Sequence, residues 1–261
     1  MLLIKPMTEP LYIIPDIHGQ FTMLEEALAL IEAEGGVNAP IVFLGDYVDR
    51  GPDSRAVIDL LIDGQARGRN WITLRGNHDQ MFLDFLDYGA IHPVRLRPDL
   101  SWIHPRLGGD TTLASYGIIG DEDNTNHTAA VAAVPRAHRD WLASLPFYHL
   151  TGPLLFVHAG IAPGVPLSHQ SPEDMLWIRE NFLTDPKPHP WLIIHGHTAL
   201  DMPTHFGNRI DLDGGAGRGR SLWPAVIEDR SCWLLTKDGR QLLTPAEQPG
   251  NRRATPGLLP P

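Results

Sequence analysis

Cysteine is nearly absent from the 261-residue chain, where Cys232 stands alone. A disulfide framework is therefore excluded, and a reducing compartment fits. No apolar run approaches the roughly 20 residues of a membrane-spanning helix. The start, Met1–Pro6, is too short for the hydrophobic region of a secretory signal. Positive charge is also scarce: 21 Lys and Arg face 31 Asp and Glu, a formal net charge of −10. That balance argues against a general nucleic-acid or membrane-surface binder, while leaving room for a small basic pocket. No internal repeat is present at a period of roughly 20–50 residues. Together these absences predict a cytoplasmic protein that binds neither nucleic acid nor membrane.

What is present is ordinary globular material, 43% hydrophobic and 20% charged. A chain of this length buries a sizeable core unaided. Its one compositional oddity is 13 histidines. The apolar run Leu11–Pro15 reads as a buried strand stopping at Asp16-Ile17-His18-Gly19. Phe21, Leu24, Leu28 and Ile31 then fall at helical spacing, and Gly35-Gly36 closes that helix. Ile41–Leu44 is a second strand, ending at Gly45-Asp46. Pro52 suits the first turn of the next helix, with Val57, Leu60 and Leu61 as its inner stripe. Trp71–Leu74 is a third strand, before Arg75-Gly76-Asn77-His78. This β-α-β-α-β start predicts a largely parallel sheet, with a binding crevice beyond the carboxyl ends of its strands.

From Gln80 to about Leu150 the pattern becomes helical or irregular, with helical patches near Met81–Tyr88 and Pro135–Leu145 and a polar acidic loop at 121–126. It reads as a cap inserted in one domain spanning 1–244. Strands return at Leu154–Val157, before His158-Ala159-Gly160, and at Trp191–Ile194, before His195-Gly196-His197-Thr198. Ile210–Thr236 suits an antiparallel second sheet. The Pro-, Gly- and Arg-rich tail, 245–261, is expected to be disordered.

Five polar clusters thus follow apolar runs: Asp16-x-His18, Gly45-Asp46-x-x-Asp49-Arg50-Gly51, Gly76-Asn77-His78-Asp79, His158-Ala159-Gly160 and Gly196-His197-Thr198. One Asp at a strand end is usually a cap or turn former. Five such clusters in order are not explained by capping. They resemble the metallophosphoesterase signature, and more narrowly its phosphoprotein phosphatase branch of bacterial and lambda-phage type. Gly45-Asp46-Tyr47-Val48-Asp49-Arg50-Gly51 matches the central motif in full. His158-Ala159-Gly160-Ile161, Trp177-Ile178-Arg179-Glu180 and His195-Gly196-His197-Thr198 agree as well. The resemblance spans about residues 11–230.

The resemblance implies an α/β fold, the four-layer calcineurin-like metallophosphoesterase sandwich of two mixed β-sheets flanked by helices. It implies two divalent metal ions, manganese first, with iron or zinc as alternatives. Asp16, His18 and Asp46 would bind one ion; Asp46, Asn77, His158 and His197 would bind the other. Carboxylate, imidazole and amide oxygen are donors suited to these metals. A hydroxide bridging ions about 3.5–4 Å apart would attack phosphorus directly. His78 would protonate the leaving oxygen, oriented by Asp49, while Arg50 and Arg179 would hold the phosphate.

The implied activity is hydrolysis of phosphomonoesters on phosphoserine and phosphothreonine proteins, with small phosphate esters as further substrates. Two departures bear on it. Pro15 replaces the usual glycine before Asp16, and Asp79 replaces the glutamate usual in protein phosphatases. An Asp there also occurs in bacterial diadenosine tetraphosphate hydrolases, so a dinucleoside polyphosphate or nucleotide hydrolase is the alternative. A non-catalytic phosphate-binding module is the third reading, opposed by retention of every expected ligand. His195 is expected to face the same side as His197 and support it. Arg218 and Arg220 read as solvated loop charges, and the tryptophans, Trp102 among them, as packing.

Overall fold

The computed structural model describes residues 9–120 and 127–246. The acidic loop at 121–126 and the tail from 247 lie outside the described residues. The first tail residues are placed: Pro245 bridges to His205, and the Ala246 N–H donates to the His205 carbonyl.

The chain opens with β1 (Leu11–Ile14), α1 (Phe21–Gly35), β2 (Ile41–Phe43), α2 (Ser54–Ala66) and β3 (Trp71–Thr73), the expected alternation. The insert holds α3 (Asn77–Tyr88), α4 (Gly109–Ser115), α5 (His127–Ala133) and α6 (Arg136–Ser144). There follow β4 (Tyr148–Thr151), β5 (Leu154–Val157), α7 (Pro172–Trp177), α8 (Glu180–Leu183), β6 (Leu192–His195), β7 (Thr204–His205) and β8 (Arg209–Asp211). The chain closes with β9 (Ala225–Glu228), β10 (Ser231–Thr236) and β11 (Gly239–Leu243).

Two mixed sheets result. The first has the order β11-β10-β9-β1-β2-β3, the second β4-β5-β6-β8-β7. β1, β2 and β3 run parallel, as do β5, β6 and β8. Alternate side chains sort the layers. Leu11 and Ile13 join Val42, Phe156, Ile194, Ile210 and Ile227 in the core between the sheets. Tyr12 and Ile14 face the other way, against α1, α2 and α3. Leu155, Val157 and Ile193 pack beneath α7 and α8 through Met175 and Phe182. The layers are helices, sheet, sheet and helices, as the resemblance implied.

Three expectations need correction. Residues Ile210–Thr236 do not form an antiparallel second sheet. β8 joins the second sheet, but β9 and β10 pair antiparallel onto the first, beside β1. The crossovers through α1 and α2 carry the chain to one side of β1 only, so its other edge stays open for β9. Pro52 does not enter a helix: α2 begins at Ser54 after the N-cap Asp53, whose N–H donates to the Gly19 carbonyl. That bond ties the turn to the first loop. Its buried stripe is Val57, Ile58 and Leu61, with Leu60 half-buried. Finally, α3 starts at Asn77 rather than near Met81.

Candidate active site

The loops beyond β1, β2, β3, β5 and β6 converge on one buried point. Asp16 and His18 come from the first, Asp46 from the second, Asn77 and His78 from the first turn of α3, His158 and His197 from the last two. The approach is tight enough to force unusual backbone. His18, Asp46, Asp49, Arg50 and His197 all adopt positive φ, between 50° and 73°. Such conformations are costly for residues with a Cβ and persist only where surrounding contacts over-determine them.

Two of the imidazoles are oriented by their second nitrogen. His18 Nδ1–H donates to the Val48 carbonyl at 2.8 Å, and His158 Nδ1–H to the Leu44 carbonyl at 2.9 Å. Their Nε2 lone pairs are thereby turned inward. His158 Nε2 lies 2.9 Å from Asn77 Oδ1 and 3.5 Å from Asp46 Oδ1, and His18 Nε2 lies 3.4 Å from Asp46 Oδ2. His197 Nδ1 lies 2.9 Å from Asn77 Oδ1, and its N–H reaches the Asp16 carboxylate at 3.1 Å. At His158 Nε2 an acceptor thus faces acceptors on both Asn77 and Asp46, and His197 Nε2 is buried with no hydrogen-bond partner among the described residues, an arrangement that a cation relieves.

Electrostatics point the same way. Burial raises the carboxyls of Asp16 and Asp46 well above the usual range, with Asp213 and Asp79 respectively adding like-charge repulsion. Burial lowers His18 and His197 well below the usual imidazole range, and His158 to about 3, which keeps them neutral as ligands must be. Ligand atoms of Asp16, Asp46 and His158 lie within 4.8 Å of one another, and so do those of His18, Asp46 and His78. The donor set fits hard or borderline divalent cations. One contact competes: Arg50 donates to His18 Nε2 at 2.6 Å and to His78 Nε2 at 3.1 Å, and must release the former before that nitrogen can ligate.

His78 and Asp49 form a second unit beside this cluster. Their Nδ1–Oδ2 separation is 2.6 Å. Burial pushes Asp49 up to about 8, against hydrogen bonds from Thr112 and Trp102 that lower it. Burial first, and then the Arg50 charge, holds His78 well below the usual imidazole range. Arg179 lines a polar cleft of about 840 Å³ with Trp177 and Asn181, close enough to the cluster for the charges of Arg50 and Asp46 to act on it. Its charge also reaches His158 and His197, whose protonated forms it disfavours.

His195, expected to support His197, is the last residue of β6, and the chain turns left-handed at His197. His195 packs edge-on against Phe182 at 5.1 Å and accepts an N–H from Arg209 at 3.0 Å, outside the ligand cluster. Asp79 is also not a cleft residue. Its carboxylate accepts the backbone N–H groups of Asp46, Tyr47 and Gly76, each at 2.9 Å. It braces the loops that present Asp46 and Asn77.

The curated comparisons agree with this architecture. The profile of the calcineurin-like phosphoesterases matches residues 9–229. The chain belongs to that family. Among curated relatives of the phosphoesterase, the serine/threonine-protein phosphatase 1 of Salmonella typhimurium is 28% identical over 232 residues, 83% of this chain and 91% of that one. The serine/threonine-protein phosphatase 6 catalytic subunit of Caenorhabditis elegans is 45% identical, but over 78 residues only, 23% of its length. Among solved structures, one provisionally assigned as a diadenosine tetraphosphatase superposes with a TM-score of 0.57 at 19% identity, covering 92% of this chain and 96% of that one. At that identity the likeness is one of fold. No helix among the described residues is long and apolar enough to cross a membrane.

Proposed function

We propose that this phosphoesterase hydrolyses phosphomonoesters on serine and threonine side chains of proteins. The observation carrying the reading is the His78–Asp49 pair set against the ligand cluster, with Arg50 at hand to both. Two divalent ions, manganese by preference, would be held by Asp16, His18 and Asp46 and by Asp46, Asn77, His158 and His197. When bound, they supply Lewis acidity and activate water for attack on phosphorus.

The protein's own groups do the rest. Arg50 and Arg179 bind non-bridging phosphate oxygens. As Arg50 turns to phosphate it frees His78 Nε2 to face the leaving oxygen. Nε2, once clear of Arg50, takes up a proton from solvent; the imidazolium passes it to that oxygen as the P–O bond breaks, leaving neutral His78 with its Nδ1–H held by Asp49. The 28% identity to a bacterial serine/threonine phosphatase over most of both chains supports this substrate class.

The test uses metal-stripped protein refilled with Mn²⁺, with a phosphoserine peptide and diadenosine tetraphosphate assayed in parallel. Phosphate release from the peptide at the higher kcat/KM is expected. Faster cleavage of the dinucleotide would replace the reading with nucleotide hydrolysis. Metal bound with no turnover of either would leave a binding module.

A further inference from the structure

The Asp49 carboxylate makes contacts that no motif accounts for. Thr112 Oγ1 donates to Asp49 Oδ1 at 2.7 Å. An ionised carboxylate can only accept, so the hydroxyl is the donor; its oxygen in turn accepts the Asp49 backbone N–H at 2.8 Å and lies 3.1 Å from Ser54 Oγ. Trp102 Nε1–H donates to Asp49 Oδ2 at 2.8 Å, the oxygen that also faces His78 Nδ1 at 2.6 Å. All four side chains are buried. Both donors come from the insert, 53 and 63 residues beyond Asp49.

The insert grips both halves of the pair at once. The Trp102 ring lies against Phe85 and Phe82 of α3, with centroids 4.9 and 5.6 Å away, and α3 carries His78 in its first turn. Thr112, on α4, grips the left-handed turn at Asp49 and Arg50, and the Gly108 carbonyl accepts the Arg50 N–H. Two glycines allow this approach. A Cβ on Gly108 would stand 2.1 Å from the Arg50 nitrogen, and one on Gly109 would stand 2.6 Å from the Trp102 ring.

We infer that Thr112 and Trp102 are positioning residues for the acid, and that the insert is the scaffold of proton donation rather than a lid over the metals. The inference rests on the proposed phosphatase reading. With each oxygen of Asp49 engaged by a buried donor from the insert, the carboxylate is held in one orientation, and so is His78. Removing either donor leaves Asp49 free to rotate about its last torsion, so that His78 Nε2 no longer points at one leaving oxygen.

The experiment compares Thr112→Val, Thr112→Ser and Trp102→Phe with the parent. It uses a phosphoserine peptide, whose alkoxide needs a proton, and p-nitrophenyl phosphate, whose leaving group needs almost none. The expected loss in kcat for Thr112→Val and Trp102→Phe is at least about tenfold greater on the peptide than on the aryl ester. Thr112→Ser restores the peptide rate. On an Asp49→Asn background, Thr112→Val adds nothing further. Equal losses on both substrates, or no loss on either, would overturn the inference. A second readout needs no turnover. The hydrogen-bonded Nδ1–H of His78, assigned by its disappearance in His78→Asn, gives a downfield proton resonance in the metal-free protein. Thr112→Val should shift or broaden it while Thr112→Ser keeps it. An unmoved resonance in a folded Thr112→Val protein rejects the positioning role even if the parent proves not to be a phosphatase.

Discussion

Replacing Gly196 with alanine tests the proposed metal centre with a single methyl group. Gly196 does not have a left-handed φ, so alanine brings no backbone strain of its own. Its Cβ would stand 2.0 Å from Asp16 Oδ1 and 3.1 Å from Asp16 Cγ. The carboxylate, or the 195–197 turn, must retreat by about 1 Å before the contact is even tight. Metal sites tolerate about 0.2 Å in ligand distance, so Asp16 would lose its proposed role as a ligand. Losing a partner that merely supports a ligand reduces metal affinity by about 10–100-fold, so losing a ligand costs no less. Overpacking itself costs about 1–3 kcal/mol, or roughly 2–12 °C in Tm for a domain of this size. Calorimetric titration of the metal-stripped variant with Mn²⁺ should therefore show one of two sites weakened at least tenfold or so. A melt in EDTA should remain cooperative. Asp16→Asn, which adds no volume, should reproduce the metal loss with little change in that melt. Two sites of parental affinity in a folded Gly196→Ala protein would refute the assignment of Asp16.

Other outcomes follow from the same geometry. Asp79→Ala strips the acceptor from three backbone N–H groups, offset in part by removal of a buried charge; a loss of about 2 kcal/mol is expected by chemical denaturation, with the peptide-to-dinucleotide activity ratio unchanged. A changed ratio would return Asp79 to the substrate. His195 is held to about 3 chiefly by burial, and further by Arg209. Its folded pKa lies below the unfolded value, so its contribution is complete above about pH 6.5 and is lost as pH falls toward 3, by at most about 1.4 kcal/mol per unit. Metal-free His195→Gln should accordingly show a shallower decline in urea midpoint than the parent between these values; parallel declines would contradict it. Burial also pushes the Cys232 thiol up to about 12. It should resist a thiol reagent in the native protein and react once urea unfolds it; rapid native reaction would mean that the inter-sheet core opens.

Much of this site was legible because the donors follow strand ends, where apolar runs mark the strand and the polar residues mark its exit. Asp16, His18, Asp46, Asn77, His158 and His197 could all be named that way, aided by a resemblance that set their order. The sheet to which β9 and β10 belong could not, since alternating apolar residues tell which face is buried and not which edge is filled. The turn at His197 was not legible, because period-2 alternation assumes an extended chain and a left-handed residue breaks it. Asp79 looked like a substrate determinant until three backbone donors were seen converging on it. Trp102 and Thr112 lie in the insert, where no periodicity relates them to Asp49, so only the folded chain could bring them together.

The pairing of β1 with β9 has a consequence for how the chain is made. Leu11 waits for Ile227, about 200 residues later, before that side of its strand is covered. At about 5–20 residues per second, synthesis leaves this edge bare for roughly 10–40 s. An apolar strand in that state is a template for pairing with the wrong chain, including a neighbour on the same message. A gene permuted so that the β9–β11 segment is translated just ahead of β1 would give a first sheet whose central partners emerge together. Its nascent chains should need less chaperone protection than those of the natural order.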